Sequence, residues 1–138
     1  RGELSVSRVS SLVSAVPTTV ASVLDRVGSV GVIVPDALVP AVAAALDGVP
    51  FALVGSSPDP ESAQVEFDSR LDLVPSSLAK GLEFDHVVLL EPAGIVAGEP
   101  DEMTGLRRLY VCLTRAVTSL TVLHADPLPA ALADSSSS

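Results

Sequence analysis

Two short apolar runs set the frame of this chain: His86-Val87-Val88-Leu89-Leu90 and Leu120-Thr121-Val122-Leu123. Each is short and rich in branched side chains, which suits a buried strand better than a helix. The first is fed by a polar, glycine-bearing turn, Ala79-Lys80-Gly81-Leu82-Glu83-Phe84-Asp85. The second is fed by a segment of helical spacing, Leu106 to Ala116, that ends in Leu113-Thr114-Arg115-Ala116. A third run, Val30-Gly31-Val32-Ile33-Val34, is β-branched, stops at Pro35 and reads as a buried parallel strand.

The rest of the chain supplies further elements of the same kind. Glu3 to Val9 alternates apolar and polar residues and predicts a half-exposed strand. Pro17 suits the first turn of a helix over Thr18 to Arg26, with Gly28 closing it. Asp36 is placed to cap an alanine-rich helix from Ala37 to Leu46, with Gly48 as its stop. Phe51-Ala52-Leu53-Val54 predicts another short buried strand, closed by the turn cluster Gly55 to Pro60. Gln64 to Phe67 and Leu71 to Val74 read as extended pieces, and Glu91 to Asp101 as a loop. Strands alternating with helices point to an α/β domain, a mostly parallel sheet covered by helices on both faces. Sites in such sheets lie at the carboxyl ends of strands, and the loop Ser76 to Phe84 is expected to open there.

At 138 residues and 48% hydrophobic content, one compact domain with its own core is expected over residues 1–126. Residues 127–138 end in four serines and are expected to be a disordered tail. The chain starts at Arg1 and is expected to be a piece of a longer protein. No uncharged apolar span of about 18 residues occurs, so no membrane helix is expected. The single cysteine, Cys112, excludes an internal disulfide and fits a reducing, cytoplasmic setting. His86 and His124 stand apart from any cysteine cluster, which gives no support to a zinc site. His86 reads as a packed strand-edge histidine and Cys112 as a buried, inert thiol.

The net charge of −9 argues against a free-standing domain that grips nucleic acid by neutralising phosphates. Yet of the eight basic residues, Lys80, Arg107, Arg108 and Arg115 fall in the two segments described first. Numbering the helix at 100° per residue places Leu109, Tyr110, Leu113 and Val117 on the face of Leu106, with Arg108 and Arg115 roughly opposite. From spacing alone Arg115 is a surface arginine placed favourably at a helix C-terminus. Lys80, Gly81 and Glu83 alone read as a solvated turn. Lys80 is the only lysine and is followed by Gly81-Leu82, so no phosphate-cradling G-x-x-x-x-G-K-[ST] loop exists in the chain.

Ala79 to Asp85 before a strand, followed by Tyr110-Val111-Cys112-Leu113-Thr114-Arg115-Ala116, resembles motifs V and VI of superfamily 1 helicases of the UvrD type. The resemblance implies a RecA-like C-terminal motor domain that lacks its own P-loop. It implies that Arg115 acts as an arginine finger on the γ-phosphate of ATP, with Mg2+, held mainly by an upstream RecA-like domain of the same protein. Lys80, Gly81 and Glu83 then line the nucleotide side of the cleft, while Ser76 and Ser77 face single-stranded DNA. This chain departs from the pattern where Pro75 and Ser77 replace the Thr-x-His that touches the strand. Thr104-Gly105 also stands in place of the paired glutamate that opens the motif VI helix, and the QNYR-type arginine is absent. The first departure leaves open a branch that remodels protein complexes such as stalled RNA polymerase. A non-catalytic α/β protein-binding module is the rival reading. Without its upstream partner the chain is expected to be inactive as an ATP hydrolase.

Overall fold

The computed structural model describes residues 3–46, 49, 51–54 and 71–125. The expected stop at Gly48, the turn cluster over 55–60, the extended piece over 64–67 and the tail over 127–138 lie outside the described residues. Six strands are described: β1 (Glu3–Arg8), β2 (Val30–Val34), β3 (Ala52–Leu53), β4 (Leu71–Pro75), β5 (Phe84–Leu90) and β6 (Ala116–His124). They form one sheet in the order β1-β6-β5-β2-β4-β3, and every pairing is parallel. The central β2 is buried along its whole length, as a strand covered on both sides must be.

Side-chain alternation along the strands divides the core in two. Val30, Val32 and Val34 of β2 point to one face, where α1 (Leu12–Leu24) and α2 (Val39–Ala45) bring Val16, Val20, Val23 and Val42. Ile33, Val87 and Leu89 point to the other, against Ile95 of α3 (Pro92–Ala97) and Leu109 and Cys112 of α4 (Glu102–Leu113). The expected α/β architecture with helices on both faces is therefore the observed one.

Several element boundaries differ from the sequence reading. The first helix starts not at Pro17 but at Leu12, where the Ser11 hydroxyl accepts from the Ser14 N–H, and Pro17 lies inside it. Asp36 does not cap α2. It opens a short 3-10 turn, Asp36–Leu38, and its carboxylate is turned to another partner. The stretch read as a loop after β5 contains α3, whose Pro92 occupies a first-turn position that tolerates the missing N–H. Ahead of it Glu91 adopts φ 49, and its carboxylate accepts from the Ala125 N–H at 2.9 Å, tying the ends of β5 and β6 together.

The largest correction concerns α4. It begins at Glu102, where the Asp101 carboxylate accepts from the Thr104 N–H at 2.8 Å, and ends at Leu113. Its packed stripe is Gly105, Leu109 and Cys112; Tyr110 is 68% exposed and Val117, already on β6, is 57% exposed. The reason is Gly105. A Cβ there would lie 2.4 Å from the Val96 carbonyl oxygen, so a glycine, weightless on any hydropathy scale, is where α3 and α4 touch.

Candidate functional site at the start of strands 5 and 6

Arg115 lies just past α4, in the turn that leads into β6, and is half-buried. Its guanidinium is held by oxygens from three directions. Nε donates at 2.9 Å to the Val111 carbonyl at the helix end, which also accepts from the Thr114 N–H at 3.3 Å and the Thr114 hydroxyl at 3.0 Å. Nη1 donates to the Leu82 carbonyl at 3.2 Å, and Nη2 to the Thr114 hydroxyl at 3.0 Å. The Arg115 carbonyl accepts from the Phe84 N–H at 3.0 Å. All three side-chain acceptors are neutral, and among the described residues no carboxylate pairs with Arg115. A guanidinium carries five N–H groups, so the fork keeps both its charge and two donors for an anion.

The Leu82 carbonyl belongs to the turn Ala79-Lys80-Gly81-Leu82, closed by the Leu82 N–H on the Ala79 carbonyl at 3.1 Å. Gly81 takes φ +87 at its third position, a conformation that a type II turn requires and that glycine supplies without strain. Lys80, Gly81 and Glu83 are exposed, and the buried Ala79 and Phe84 anchor the turn on either side. Lys80 and Glu83 are without ion-pair partners among the described residues. Thus Arg115 and the Lys80-Gly81-Glu83 turn are brought together.

Their place on the sheet corrects an expectation. Phe84 pairs with Ala116 at the first residues of β5 and β6, so this cluster sits at the amino ends of those strands, not at the carboxyl rim. The loop after β4 leaves the carboxyl rim at Pro75 and crosses to the opposite end before β5 starts.

Ser76 and Ser77 stay behind at the carboxyl side, in the 3-10 turn Ser76–Leu78. Ser76 is only 5% exposed, and its hydroxyl donates to Asp36 Oδ1 at 3.4 Å. The Ser77 N–H donates to the same oxygen at 3.1 Å, and its carbonyl accepts from Arg108 Nη1 at 3.3 Å. Among the described residues the Ser77 hydroxyl has no hydrogen-bond partner, and Ser77 is half-buried. Arg108 does not point away from the packed face as the helical projection has it. It reaches to Ser77 and to Glu99, whose Oε2 lies 3.7 Å from Nε. Asp36 and Arg108 are the residues sequence reasoning missed. An arginine pair in a helix gives no sign of which member turns inward.

His86 and Cys112 take structural roles. His86 Nε2 lies 2.9 Å from the Val27 carbonyl, which only accepts, so Nε2 donates; Nδ1 lies 2.7 Å from the Ser119 hydroxyl. The Cys112 thiol is fully buried against Ser76, and burial pushes its pKa up to about 11. Among the described residues no three His, Cys, Asp or Glu side chains are grouped to hold a metal ion, and no helix is long and apolar enough to cross a membrane. The chemistry that does fit is an anion. Arg115 offers an uncompensated fork beside an exposed lysine, although no loop on this chain cradles phosphates.

Comparisons with known proteins agree with this fold. No curated protein matches the chain. Among solved structures, one described as the C-terminal domain of a possible DNA helicase from Lactobacillus plantarum WCFS1 matches with a TM-score of 0.66 and 24% identity. The match covers 96% of this chain and 78% of that one and speaks for the fold. The family model of the UvrD-like helicase C-terminal domain matches residues 74–123, from the end of β4 through the turn, α4 and most of β6. That segment, which holds both halves of the Arg115 site, is similar to the UvrD-like helicase C-terminal domain.

Proposed function

We propose that the chain is the C-terminal motor domain of an ATP-dependent superfamily 1 DNA helicase or translocase. It works in trans with an upstream RecA-like domain that holds ATP and its Mg2+. Arg115 meets the γ-phosphate and offsets the charge that spreads over the transferring phosphoryl oxygens. Lys80 and the backbone at Gly81 approach the nucleotide from the adjoining turn, and the Glu83 carboxylate accepts from a ribose hydroxyl. Single-stranded DNA passes the opposite rim, where the Ser77 hydroxyl is the group left to meet it. The observation that carries this reading is the Arg115 guanidinium, fixed by neutral oxygens with its charge unspent.

In the full-length protein, Arg115→Ala should abolish ATP turnover and leave nucleotide binding largely in place. Wild-type turnover in that variant overturns the reading in favour of a non-catalytic binding module. The 138-residue chain by itself should show no turnover. A single-stranded oligodeoxynucleotide should stimulate the full-length enzyme. Stimulation only by stalled RNA polymerase complexes would move the enzyme to the protein-remodelling branch.

A further inference from the structure

Resting on the motor reading, we infer that Arg108 is a positioning residue that carries the state of the Arg115 site to the turn at Ser76–Leu78. That turn hangs between two bodies. On one side Asp36, from the connection between β2 and α2, accepts from the Ser77 N–H at 3.1 Å and from the Ser76 hydroxyl at 3.4 Å. On the other side α4 supplies two contacts: Arg108 Nη1 to the Ser77 carbonyl at 3.3 Å, and the Cys112 thiol 3.8 Å from the Ser76 carbonyl. A thiol is a weak donor, so Arg108 carries most of the hold from α4.

The same helix ends under Arg115, whose Nε binds the Val111 carbonyl. A phosphate drawing the Arg115 fork towards itself competes with the Val111 and Leu82 carbonyls and shifts the last turn of α4. Arg108 stands about two helical turns earlier, on the flank of the packed stripe. Its contacts leave room to respond. Nε is buried without an acceptor at hydrogen-bonding distance, and its carboxylate neighbour, Glu99 Oε2, stands at 3.7 Å. A movement of α4 that shortens either contact is favoured, because it satisfies a buried donor. The displacement of Arg108 then passes through one hydrogen bond into the main chain of Ser77.

Amide hydrogen exchange over residues 76–79 reads this transmission in the full-length protein. The comparison is between the nucleotide-free enzyme and the enzyme loaded with ADP and aluminium fluoride. In the wild type, loading should slow exchange of the Ser77 amide by about tenfold. Arg108→Met should erase that difference while nucleotide half-saturation stays within about twofold, and Arg108→Lys, which keeps a charged donor, should retain part of it. Glu99→Gln should keep the difference, since the Ser77 contact survives. A purely structural Arg108 would raise exchange equally in both states and leave the difference intact. A wild-type difference in Arg108→Met, or no difference in the wild type, overturns the inference. The motor reading stands or falls separately, on turnover by Arg115→Ala.

Discussion

Arg115 donates from Nη1 to the main-chain carbonyl of Leu82 at 3.2 Å, across a sequence separation of 33 residues. One hydrogen bond thus joins the turn before β5 to the turn before β6, and the Phe84 N–H on the Arg115 carbonyl repeats the connection on the main chain. The side chain has a structural task besides any chemical one. Arg115→Ala should therefore destabilise the chain by about 1–3 kcal/mol, since it strands the Leu82 carbonyl in a half-buried setting, whereas the Val111 carbonyl keeps the Thr114 N–H and hydroxyl. Arg115→Lys should cost less, as an ammonium reaches one of them. Urea denaturation of the two variants checks the order, and an unchanged midpoint for Arg115→Ala would show that water replaces the guanidinium at the Leu82 carbonyl.

Two glycines separate conformational strain from steric clash. A Cβ at Gly81 meets nothing within 4 Å, but φ +87 is a region that alanine avoids. Gly81→Ala should cost about 1–2 kcal/mol and Gly81→Asn less, because asparagine tolerates positive φ. At Gly105 the opposite holds. No positive φ is involved, and alanine's better helix propensity is worth up to about 1 kcal/mol. The new methyl, however, would lie 2.4 Å from the Val96 carbonyl oxygen and 2.8 Å from its Cα, backbone atoms that no rotamer change removes. Prising α3 from α4 should cost about 1–3 kcal/mol or more. Thermal unfolding should place Gly105→Ala below Gly81→Asn, and the reverse order would contradict the tight approach of the two helices.

The parts of the molecule legible in the sequence are those fixed by local chemistry. β2 and β5 announce themselves as continuous apolar runs because parallel strands buried on both faces leave no polar alternation. Arg115 and the Lys80-Gly81-Glu83 turn stand in short segments whose order carries information. What escaped reading depends on partners distant along the chain. Asp36 has the residue type of a helix cap, yet Ser77 N–H, 41 residues on, takes its carboxylate. Arg108 meets Ser77 across 31 residues, a contact that no helical projection contains. α3 has six residues, too few for a period to register, and opens on a proline that reads as a loop. Its packing against Gly105 then sets which face of α4 turns inward, so one missed element displaced the orientation of the next.

Asp101 offers a pH-dependent test of the start of α4. The Thr104 backbone N–H, followed by the Thr104 hydroxyl, holds its carboxyl below the ordinary value of 3.8. A carboxylate with a depressed folded-state pKa stabilises the fold above the ordinary value, and that contribution disappears as pH falls through the lowered one. Asp101→Ala should lower the melting temperature at pH 7, while Asp101→Asn, which keeps an acceptor at the cap, should lower it less. The gap between wild type and Asp101→Ala should narrow as pH drops below 3.8. A gap independent of pH down to the acid limit would show that the carboxylate charge contributes nothing at this helix start.

Cys112 tests how tightly α4 closes over the turn at Ser76. Burial raises its thiol pKa to about 11, against the opposing pull of Arg108 and Arg115. The thiolate is the reactive form, so at pH 8 only about one molecule in a thousand carries it. Labelling by a disulfide reagent should be slow in the native chain and fast in urea, where the thiol returns to its ordinary range. The native rate should climb about tenfold per pH unit through pH 9 without levelling off. Because the folded pKa lies above the unfolded one, stability should also decline as pH rises from 9 towards 11, where the unfolded chain sheds a proton that the folded chain keeps. Arg108→Met removes a charge that favours the thiolate and should lower the intrinsic reactivity further. If that variant instead labels faster, opening of the Ser76–Leu78 turn outweighs the lost charge, and accessibility, rather than electrostatics, governs this thiol.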